Sequence, residues 1–356
     1  MLNSKRIKEI ALSVGADKCG IAPIERLKGA PDEMNPAFLF PEAKSVIAFV
    51  FRIPRGVQRG IEEGTQFFQY PSMAYGGINE IFAPYVLYHV GKAIEDEGYE
   101  AFVYRNTGAR GVVSDMDGSP GNTVSPEEKI EATKEKNRHR CVNFTRPVRE
   151  GSVAPDLQFS FRIVAVACGL GEIGWSKMLL TPEFGPLQRL AFIFTDAEFD
   201  EYDPIYDGEP LCRKCGACVR ECPGGCIPPI GSDKTVEIEL EGKKIVWADI
   251  DMWRCFVFYT HAGRNYNPFV PKEVWDKNEN GELDLLEGKS DLADGDVKLK
   301  VYKALAKYFP SWVGYNMAKC GGCIRGCVSM LEKKGGCMEG RFESPLRSKK
   351  PWKMDR

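Results

Sequence analysis

The chain has 356 residues, of which 43% are hydrophobic and 13 are cysteines, and its formal net charge is −2. This length and apolar content indicate one large or two ordinary globular domains and exclude overall disorder. A near-neutral charge gives no general attraction to polyanions, which disfavours nucleic acid as a partner, and no apolar run approaches the roughly 18 residues of a membrane span.

Helical and extended patterns alternate through the part of the chain that precedes the cysteine motifs. Apolar residues at helical spacing predict amphipathic helices over 4–14, with Ser4 as the N-cap, and over 84–97. Runs rich in β-branched and aromatic residues predict strands over 44–53, 99–104 and 189–195. Strands that alternate with helices imply a layered α/β structure.

Two charged segments interrupt this pattern. Residues 107–150 are rich in Gly, Lys, Glu and Arg, and we interpret them as a solvated surface loop or helix, with a lid over an active site as the alternative. Residues 278–296 are acidic and predict an exposed insertion.

Eight cysteines follow a pattern in two parts: Cys212, Cys215, Cys218 and Cys222 before a proline, a lone Cys255, then Cys320, Cys323 and Cys327. In the bacterial ferredoxin motif, three closely spaced thiolates hold one cluster and the fourth Cys, followed by Pro, ligates the other. This arrangement predicts two [4Fe–4S] clusters. The expected ligand sets are Cys212, Cys215, Cys218 and Cys327 for the first, and Cys222, Cys255, Cys320 and Cys323 for the second.

Other interpretations of the cysteines fit less well. A zinc ribbon rarely offers three thiolates at this spacing followed by Cys-Pro, and disulfide frameworks belong to short secreted chains. The N-terminal sequence has no apolar signal core, so we expect a cytoplasmic protein. Of the remaining cysteines, Cys226 and Cys337 lie close in sequence to the predicted ligands, and either is an alternative to Cys255.

A glycine-rich element precedes the cysteines. Residues 169–174, Gly-Leu-Gly-Glu-Ile-Gly, fit the dinucleotide-binding pattern G-x-G-x-x-G and follow an apolar run. However, Pro182 and Pro186 interrupt the helix that such a motif should open. The motif alone is therefore a weak signal for a dinucleotide.

The wider segment 165–196, which contains GLGEIG and LLTPEFGP, resembles the corrinoid-binding segment of reductive dehalogenases, and epoxyqueuosine reductases carry a looser version. Both families place it just before cysteine motifs in the order seen here. The resemblance implies a base-off corrinoid (cobalamin), with the cluster of Cys222 nearest to it. It assigns corrinoid contacts to Gly169, Leu170, Gly171, Glu172, Gly174, Leu180, Thr181 and Pro182.

The same resemblance implies an α+β fold in two domains. A nitroreductase-like α/β corrinoid-binding domain would span 1–205, a ferredoxin-like domain with two [4Fe–4S] clusters would span 206–340, and a basic tail would follow over 341–356.

The proton donor is the point where the match weakens. Reductive dehalogenases use a Tyr supported by Lys or Arg, and the nearest upstream Tyr here is Tyr104. Epoxyqueuosine reductases use an Asp shortly before the glycines, and Asp156 lies at nearly that distance. Tyr104 and Asp156 are therefore the candidate acids, although a packed strand aromatic and a loop or cap carboxylate are the simpler interpretations.

The sequence thus favours a corrinoid-dependent iron–sulfur reductase, similar to reductive dehalogenases, that acts on a small organic substrate. It would need a low-potential donor such as ferredoxin or flavodoxin. Three alternatives stay open: an epoxyqueuosine reductase acting on tRNA, a corrinoid-reducing electron-transfer protein without an organic substrate, and an iron–sulfur electron carrier with an unrelated or flavin-binding domain.

Overall fold

The protein was analysed as a computed structural model. It describes residues 1–63, 69–106, 112–114, 120–121, 141–142, 148–149, 157–261, 263–264, 267, 272–276, 281–287, 297, 300–301, 304 and 321–347. Two residues of interest, Asp156 and Cys320, lie outside these ranges, as does most of the charged segment 107–150. The interpretation of that segment as a surface loop or a lid therefore stays a prediction.

The first part of the chain alternates helices and strands. Its elements are α1 (Ser4–Ser13), β1 (Lys18–Pro23), β2 (Ser45–Arg52), α2 (Arg59–Glu63), α3 (Ala83–Glu95) and β3 (Ala101–Tyr104), with a π-helix over Tyr70–Phe82 that leads into α3. Helix α1 is capped by Asn3, whose side chain accepts the Arg6 N–H at 2.8 Å, and not by Ser4 as predicted. Ser4 is already inside the helix and is buried, with its N–H on the Asp200 carboxylate.

The middle of the chain contributes several short strands and β9, the strand that pairs with β2 along its full length. Its elements are β4 (Val112–Ser114), β5 (Pro120–Gly121), β6 (Cys141–Val142), α4 (Phe161–Ala167), β7 (Glu172–Ile173), β8 (Leu179–Leu180) and β9 (Gln188–Thr195). Strands β4 to β6 form a small antiparallel sheet in the order β5-β4-β6. The apolar run before the glycines is helix α4, capped by the Ser160 hydroxyl.

The central sheet has four strands in the order β1-β2-β9-β3, and every pair is antiparallel. Because side chains alternate along a strand, β9 sends Ala191 and Ile193 to the face of α1 and α3, and Phe192 and Phe194 to the face of α4. Both faces are covered, so each buried Phe contributes about 1.5–3 kcal/mol of transfer free energy. The predicted mixed α/β structure is confirmed.

The cysteine-bearing part is built from short elements: α5 (Ala217–Arg220), β10 (Thr235–Leu240), β11 (Lys243–Ala248), α6 (Met252–His261), α7 (Lys272–Asp276), α8 (Glu282–Leu286) and α9 (Gly322–Leu331). Strands β10 and β11 form a hairpin whose turn residues, Glu241 and Gly242, both have positive φ. Helix α8 lies in the segment 278–296, predicted as exposed, yet Leu283 and Leu286 are buried. Their helical spacing gives α8 an apolar face, and both belong to an apolar cluster with Trp275 of α7.

The C-terminal segment packs back onto the first part of the chain. Arg55 pairs with the buried Glu332 at 2.8 Å and also donates to the Ser344 carbonyl. Glu332 in turn accepts the Leu346 N–H at 2.6 Å, and Arg59 donates to the Leu346 carbonyl. The described residues after 340 are thus attached to the sheet domain, while the predicted domain boundaries themselves stay predictions.

Within the described ranges, no helix combines the length and the apolar character that a membrane crossing requires.

Candidate functional site

The first predicted set of thiols surrounds one cavity. Cys212, Cys215, Cys218 and Cys327 all line a space of about 340 Å³ between α5 and α9. Gly216, with φ of 70°, allows the chain to turn sharply into α5 between the second and third of them. All four are free thiols, as are the other cysteines whose side chains the structure describes, so none of these cysteines is in a disulfide.

The electrostatics of this first group suit a multivalent cation. Burial and the nearby Cys212 and Cys215 raise the pKa of Cys218 to about 11. Burial, with Cys212 and Cys218 next in importance, raises the pKa of Cys327 well above its ordinary value. Crowded thiols resist ionisation unless positive charge is brought among them, and the irons of a cluster would supply that charge. The donor set therefore fits an iron–sulfur cluster.

The second predicted set is described in part. Cys222 and Cys323 pack on the same apolar cluster, which contains Trp175. Cys255, on α6, is linked to Cys222 through the thiol of Cys226, which can hydrogen-bond to either. The fourth predicted ligand, Cys320, lies outside the described residues. The role of these thiols as ligands of a second cluster therefore stays a prediction.

Cys226 is the residue that the sequence left as an alternative to Cys255. Its backbone N–H donates to the Cys222 sulfur at 3.2 Å. Its single S–H can donate to either Cys222 or Cys255. Such a bond lowers the pKa of Cys222 to about 6 and also acts to lower that of Cys255, because a donated hydrogen bond favours the thiolate. Cys337, the other alternative, is exposed and lies instead near Glu172 and Glu183.

No three His, Cys, Asp or Glu side chains of the described part converge as the ligands of a single metal ion do. A four-iron cluster does not require such convergence, because its thiolates bind separate irons of one cluster.

The glycine-rich element is a β-hairpin that connects the sheet domain to the first thiol group. A Cβ on Gly169 would lie 2.2 Å from the Pro204 carbonyl oxygen, and one on Gly171 would lie 2.0 Å from that of Leu180. The chain's own backbone thus explains both glycines. A dinucleotide motif opens a helix, whereas strand β7 lies between Gly171 and Gly174 here. This described segment therefore lacks the strand-turn-helix arrangement of a dinucleotide site.

The other residues predicted to contact a corrinoid, and their neighbours in this hairpin, pack within the protein. Leu170, Leu180 and Thr181 are buried, while Glu172 and Pro182 are half-buried. The Glu172 carboxylate accepts the Cys212 N–H, and the Trp175 N–H donates to the Cys212 sulfur at 3.4 Å. Gly174 leaves room for Leu180 and the Cys212 sulfur. The element therefore positions a predicted cluster ligand, and its predicted contacts to a corrinoid stay a prediction.

The structure brings together a second group of candidate functional side chains, which the sequence motifs did not indicate. The arginine–tyrosine cluster consists of Arg162 (α4), Arg189 (β9), Tyr70 and Tyr75 (π-helix), and Tyr259 (α6). The Arg189 guanidinium lies 3.5 Å from the ring centroid of Tyr75, and its Nη2 lies 3.5 Å from the Tyr70 hydroxyl. Its Nε donates to the Ala74 carbonyl at 2.8 Å, while the rings of Tyr75 and Tyr259 are 6.2 Å apart.

Burial dominates the chemistry of this cluster. It raises the pKa of Tyr70 and Tyr259 above their ordinary values and lowers that of Arg162. Burial would also lower the pKa of Arg189, but the neighbouring hydroxyls of Tyr75 and Tyr70 raise it. Burial thus favours the neutral forms of Tyr70 and Tyr259, whereas the tyrosine neighbours favour the charged form of Arg189.

The cluster lies near the second thiol group. Arg162, Arg189 and Tyr75 are half-buried, so each keeps part of its surface accessible. Tyr75 and Cys323 pack on the same apolar cluster. The thiols of Cys323 and Cys255 also act, after burial, on the pKa of Arg162. The arginine–tyrosine cluster and the second thiol group are therefore neighbours.

Tyr104, the predicted acid, lies elsewhere. Its ring stacks on Phe192 at 4.7 Å and contacts Phe159 at 5.6 Å. Phe192 is on the α4 face of the sheet, whereas Arg189 follows the opposite alternation and shares the face of Ala191. Tyr104 is thus separated from Arg189 by the sheet, and Asp156 lies outside the described residues. Their roles as proton donors stay predictions.

The signals that could have pointed to the arginine–tyrosine cluster are present but weak. Arg189 is the charged residue of β9, and the other positions of that strand are all buried. A charged residue in such a strand is usually paired or functional. Tyr70 and Tyr75 lie in an aromatic-rich stretch that has no clear period. Because Tyr259 is distant in sequence, no local pattern connects it to them.

Comparison with known proteins gives matches in two families of reductases. The chain is 29% identical over 159 residues to tetrachloroethene reductive dehalogenase of Desulfitobacterium hafniense strain Y51, which covers 43% of this chain and 27% of that protein. It is 31% identical over 121 residues to the Sulfurospirillum multivorans enzyme of the same name, covering 31% of this chain and 24% of that one. Epoxyqueuosine reductase of Listeria monocytogenes matches at 34% over 80 residues, 22% of this chain and 20% of the relative.

These matches span about a quarter of the length of the curated relatives. No protein-family model matches the chain. Among solved structures, a catabolic reductive dehalogenase aligns with a TM-score of 0.46 at 18% identity, over 88% of this chain and 39% of that one. Epoxyqueuosine reductase from Streptococcus thermophilus aligns with a TM-score of 0.39 at 16% identity, over 97% and 95%. The chain is thus a homologue of reductive dehalogenases and epoxyqueuosine reductases, as its motifs predicted.

Proposed function

We propose that the chain is an iron–sulfur and corrinoid-dependent reductase, similar to reductive dehalogenases, which passes electrons through two clusters to cobalt and reduces a small organic substrate. The observation that carries the proposal is the position of the arginine–tyrosine cluster beside Cys255 and Cys323. A buried acid and a fixed cation next to redox ligands suit a reaction that adds electrons and a proton to one substrate. Sequence identity to tetrachloroethene reductive dehalogenases supports the same choice.

The protein would contribute ligands and a controlled proton. Cys212, Cys215, Cys218 and Cys327 would hold one cluster, and Cys222, Cys255, Cys320 and Cys323 the other. When bound, the clusters would supply single electrons and a base-off corrinoid would supply low-valent cobalt for reductive bond cleavage. Arg162 and Tyr75, which are half-buried and keep accessible surface, would contact corrinoid and substrate.

The proton would come from the hydroxyl of Tyr75 or Tyr259. Both are half-buried, whereas Tyr70 is almost fully buried and would orient Arg189. The Arg189 guanidinium against the Tyr75 ring would stabilise the tyrosinate left after transfer. Partial burial of both tyrosines would limit the bulk water that competes as the acid.

Anaerobic reconstitution with iron, sulfide and cobalamin tests the cofactors. We expect about eight irons and one base-off cobalt per chain, measured by metal analysis and by visible and EPR spectra of the desalted protein. Eight irons without retained cobalt would contradict the corrinoid part and leave an electron-transfer protein. Turnover of epoxyqueuosine-containing tRNA, with none of halogenated organic compounds, would favour the epoxyqueuosine reductases that also match.

Three Tyr→Phe variants identify the acid. Loss of a general acid lowers kcat by about 10²–10⁴-fold, and we expect this for Tyr75→Phe or Tyr259→Phe with cofactor content unchanged. Tyr104→Phe is the matched control, because its ring packs in the α4-side core. A loss of kcat in Tyr104→Phe alone would assign the acid to Tyr104.

A further inference from the structure

The cavity of the first thiol group opens between four basic side chains. Arg213 and Lys214 lie between Cys212 and Cys215 in sequence, and Lys333 and Lys334 follow α9 on the other side of the same cavity. All four are exposed, and the Arg213 guanidinium donates to the Lys334 carbonyl at 3.2 Å, which joins the two sides. We call these four residues the basic collar.

The collar carries uncompensated positive charge. No acidic side chain is among the described residues that line the cavity. In the described part of the chain, none of the four basic groups forms an ion pair, and the nearby Glu339 carboxylate accepts the Gly335 N–H instead. Since the whole chain has a formal charge of −2, this positive patch is local and not a general property of the surface.

The centre of the collar exposes one of the predicted cluster ligands. Cys215 is exposed, unlike Cys212, Cys218 and Cys327, which are half-buried. Ile230 also lines the cavity and is 37% exposed, which gives the collar a small apolar centre. Lys214 has a positive φ of 47°, a conformation that non-glycine residues seldom adopt and that holds this loop outward.

We propose that the basic collar is the docking surface for an acidic, low-potential one-electron carrier protein of the ferredoxin or flavodoxin type. This inference rests on the proposed function, because it assumes that the first thiol group holds a cluster. A charged rim around a small apolar centre is typical of transient redox interfaces, which are small and depend on electrostatic steering. An acidic carrier would be guided to a face where a predicted thiolate ligand, Cys215, reaches the surface.

Charge reversal tests the docking surface. In the reconstituted protein, Lys333→Glu with Lys334→Glu changes the collar on the side away from the Cys212 loop. We expect the second-order rate of reduction by reduced ferredoxin or flavodoxin to fall about tenfold or more at low ionic strength, and the difference to shrink as salt is added. Arg213→Glu with Lys214→Glu should act in the same direction.

Two controls separate docking from other effects. Photoreduced deazaflavin, a small uncharged reductant, should reduce parent and variant at the same rate, with equal iron content. Lys5→Glu with Lys92→Glu makes the same charge change at exposed positions of α1 and α3, and should leave the carrier's rate unchanged.

Several results would overturn the docking surface. One is an equal carrier rate in parent and collar variants, and another is an equal loss in the Lys5 and Lys92 variant. A third is tRNA binding that the collar variants abolish while carrier reduction is unaffected, which would make the collar a nucleic-acid surface. Failure to incorporate iron would instead contradict the proposed function, and it is detected before any carrier is added.

Discussion

The sheet domain and the thiol-bearing part of the chain are stabilised in different ways. In the sheet domain, β2 and β9 pair along eight residues each, and large apolar side chains such as Phe49 and Phe194 are fully buried. Around the thiols, the apolar cluster has three buried members, Trp175, Ile227 and Ala248, with half-buried cysteines packed on them. The interior of the first region is apolar and includes Ile324 and Val328 of α9, whereas much of the interior around the thiols consists of potential ligands.

This contrast implies different dependence on cofactors. A sheet covered on both faces buries enough apolar surface to fold without a ligand. A region whose interior is lined by thiols gains its stability when metal binds, because the binding free energy becomes folding free energy. We therefore expect cofactor loss to open the thiol region and to leave the sheet intact.

The largest effect should follow removal of a thiolate. Cys212→Ser should lose about four irons per chain, because one cluster loses a ligand. Amide hydrogen exchange should then quicken over 211–222 and 321–331 but stay slow over 45–52 and 188–195. Cys337→Ser, at an exposed cysteine outside both groups, should change neither quantity. Equal loss of protection in the sheet would show that the two regions unfold as one unit.

The converse perturbation is a cavity in the sheet. Phe194 is fully buried and lies 4.9 Å from the Phe159 ring, so Phe194→Ala should lower the free energy of unfolding by about 3–5 kcal/mol. Denaturant titration measures this change, and the iron content of the folded fraction should stay constant. Tyr88→Ala, at a residue that is 64% exposed, should change stability by about 0.5 kcal/mol or less. Iron loss from folded Phe194→Ala protein would contradict independent regions.

Acid should weaken the thiol-bearing part through His261. Burial lowers the pKa of His261 to about 4, while the unfolded chain titrates near its ordinary value of 6.5. Between these values the unfolded state binds more protons, so stability falls as pH drops from about 6.5 towards 4, by about 3 kcal/mol in total. His261→Gln should flatten this part of the pH profile of the unfolding free energy. An unchanged profile would exclude His261 as its source.

The smallest effect should come from Cys226. Cys226→Ala removes the thiol that can donate to either Cys222 or Cys255, and hydrogen bonds to ligand sulfurs tune cluster potentials. We expect a shift in the midpoint potential of one cluster in EPR-monitored titrations, with iron content unchanged. Cys255→Ala, in contrast, should lose a cluster. If Cys226→Ala loses iron and Cys255→Ala does not, Cys226 is the ligand.

Much of the fold and part of the site could be predicted from the sequence. The period of apolar residues identified α1, α3, β2, β3 and β9, because each depends on side chains a few positions apart. Cysteine spacing grouped Cys212, Cys215 and Cys218, and the ferredoxin pattern added Cys327, which the structure brings to the same cavity. The predictions of the α1 cap and of an exposed segment at α8 were less accurate. Asn3 caps α1 instead of Ser4, and α8 has buried leucines, because each outcome depends on a single competing contact.

The arginine–tyrosine cluster, in contrast, was decided by tertiary structure alone. Tyr75 and Tyr259 belong to helices from different regions, and they meet Arg189 because the antiparallel pairing of β9 turns that side chain away from Phe192. Register and chain path set such contacts, and neither leaves a local pattern. The sequence by itself determined which residues can bind metal and where strands and helices form. The tertiary structure decided which tyrosines and arginines lie near the thiols, since proximity between distant segments exists only after the chain has folded.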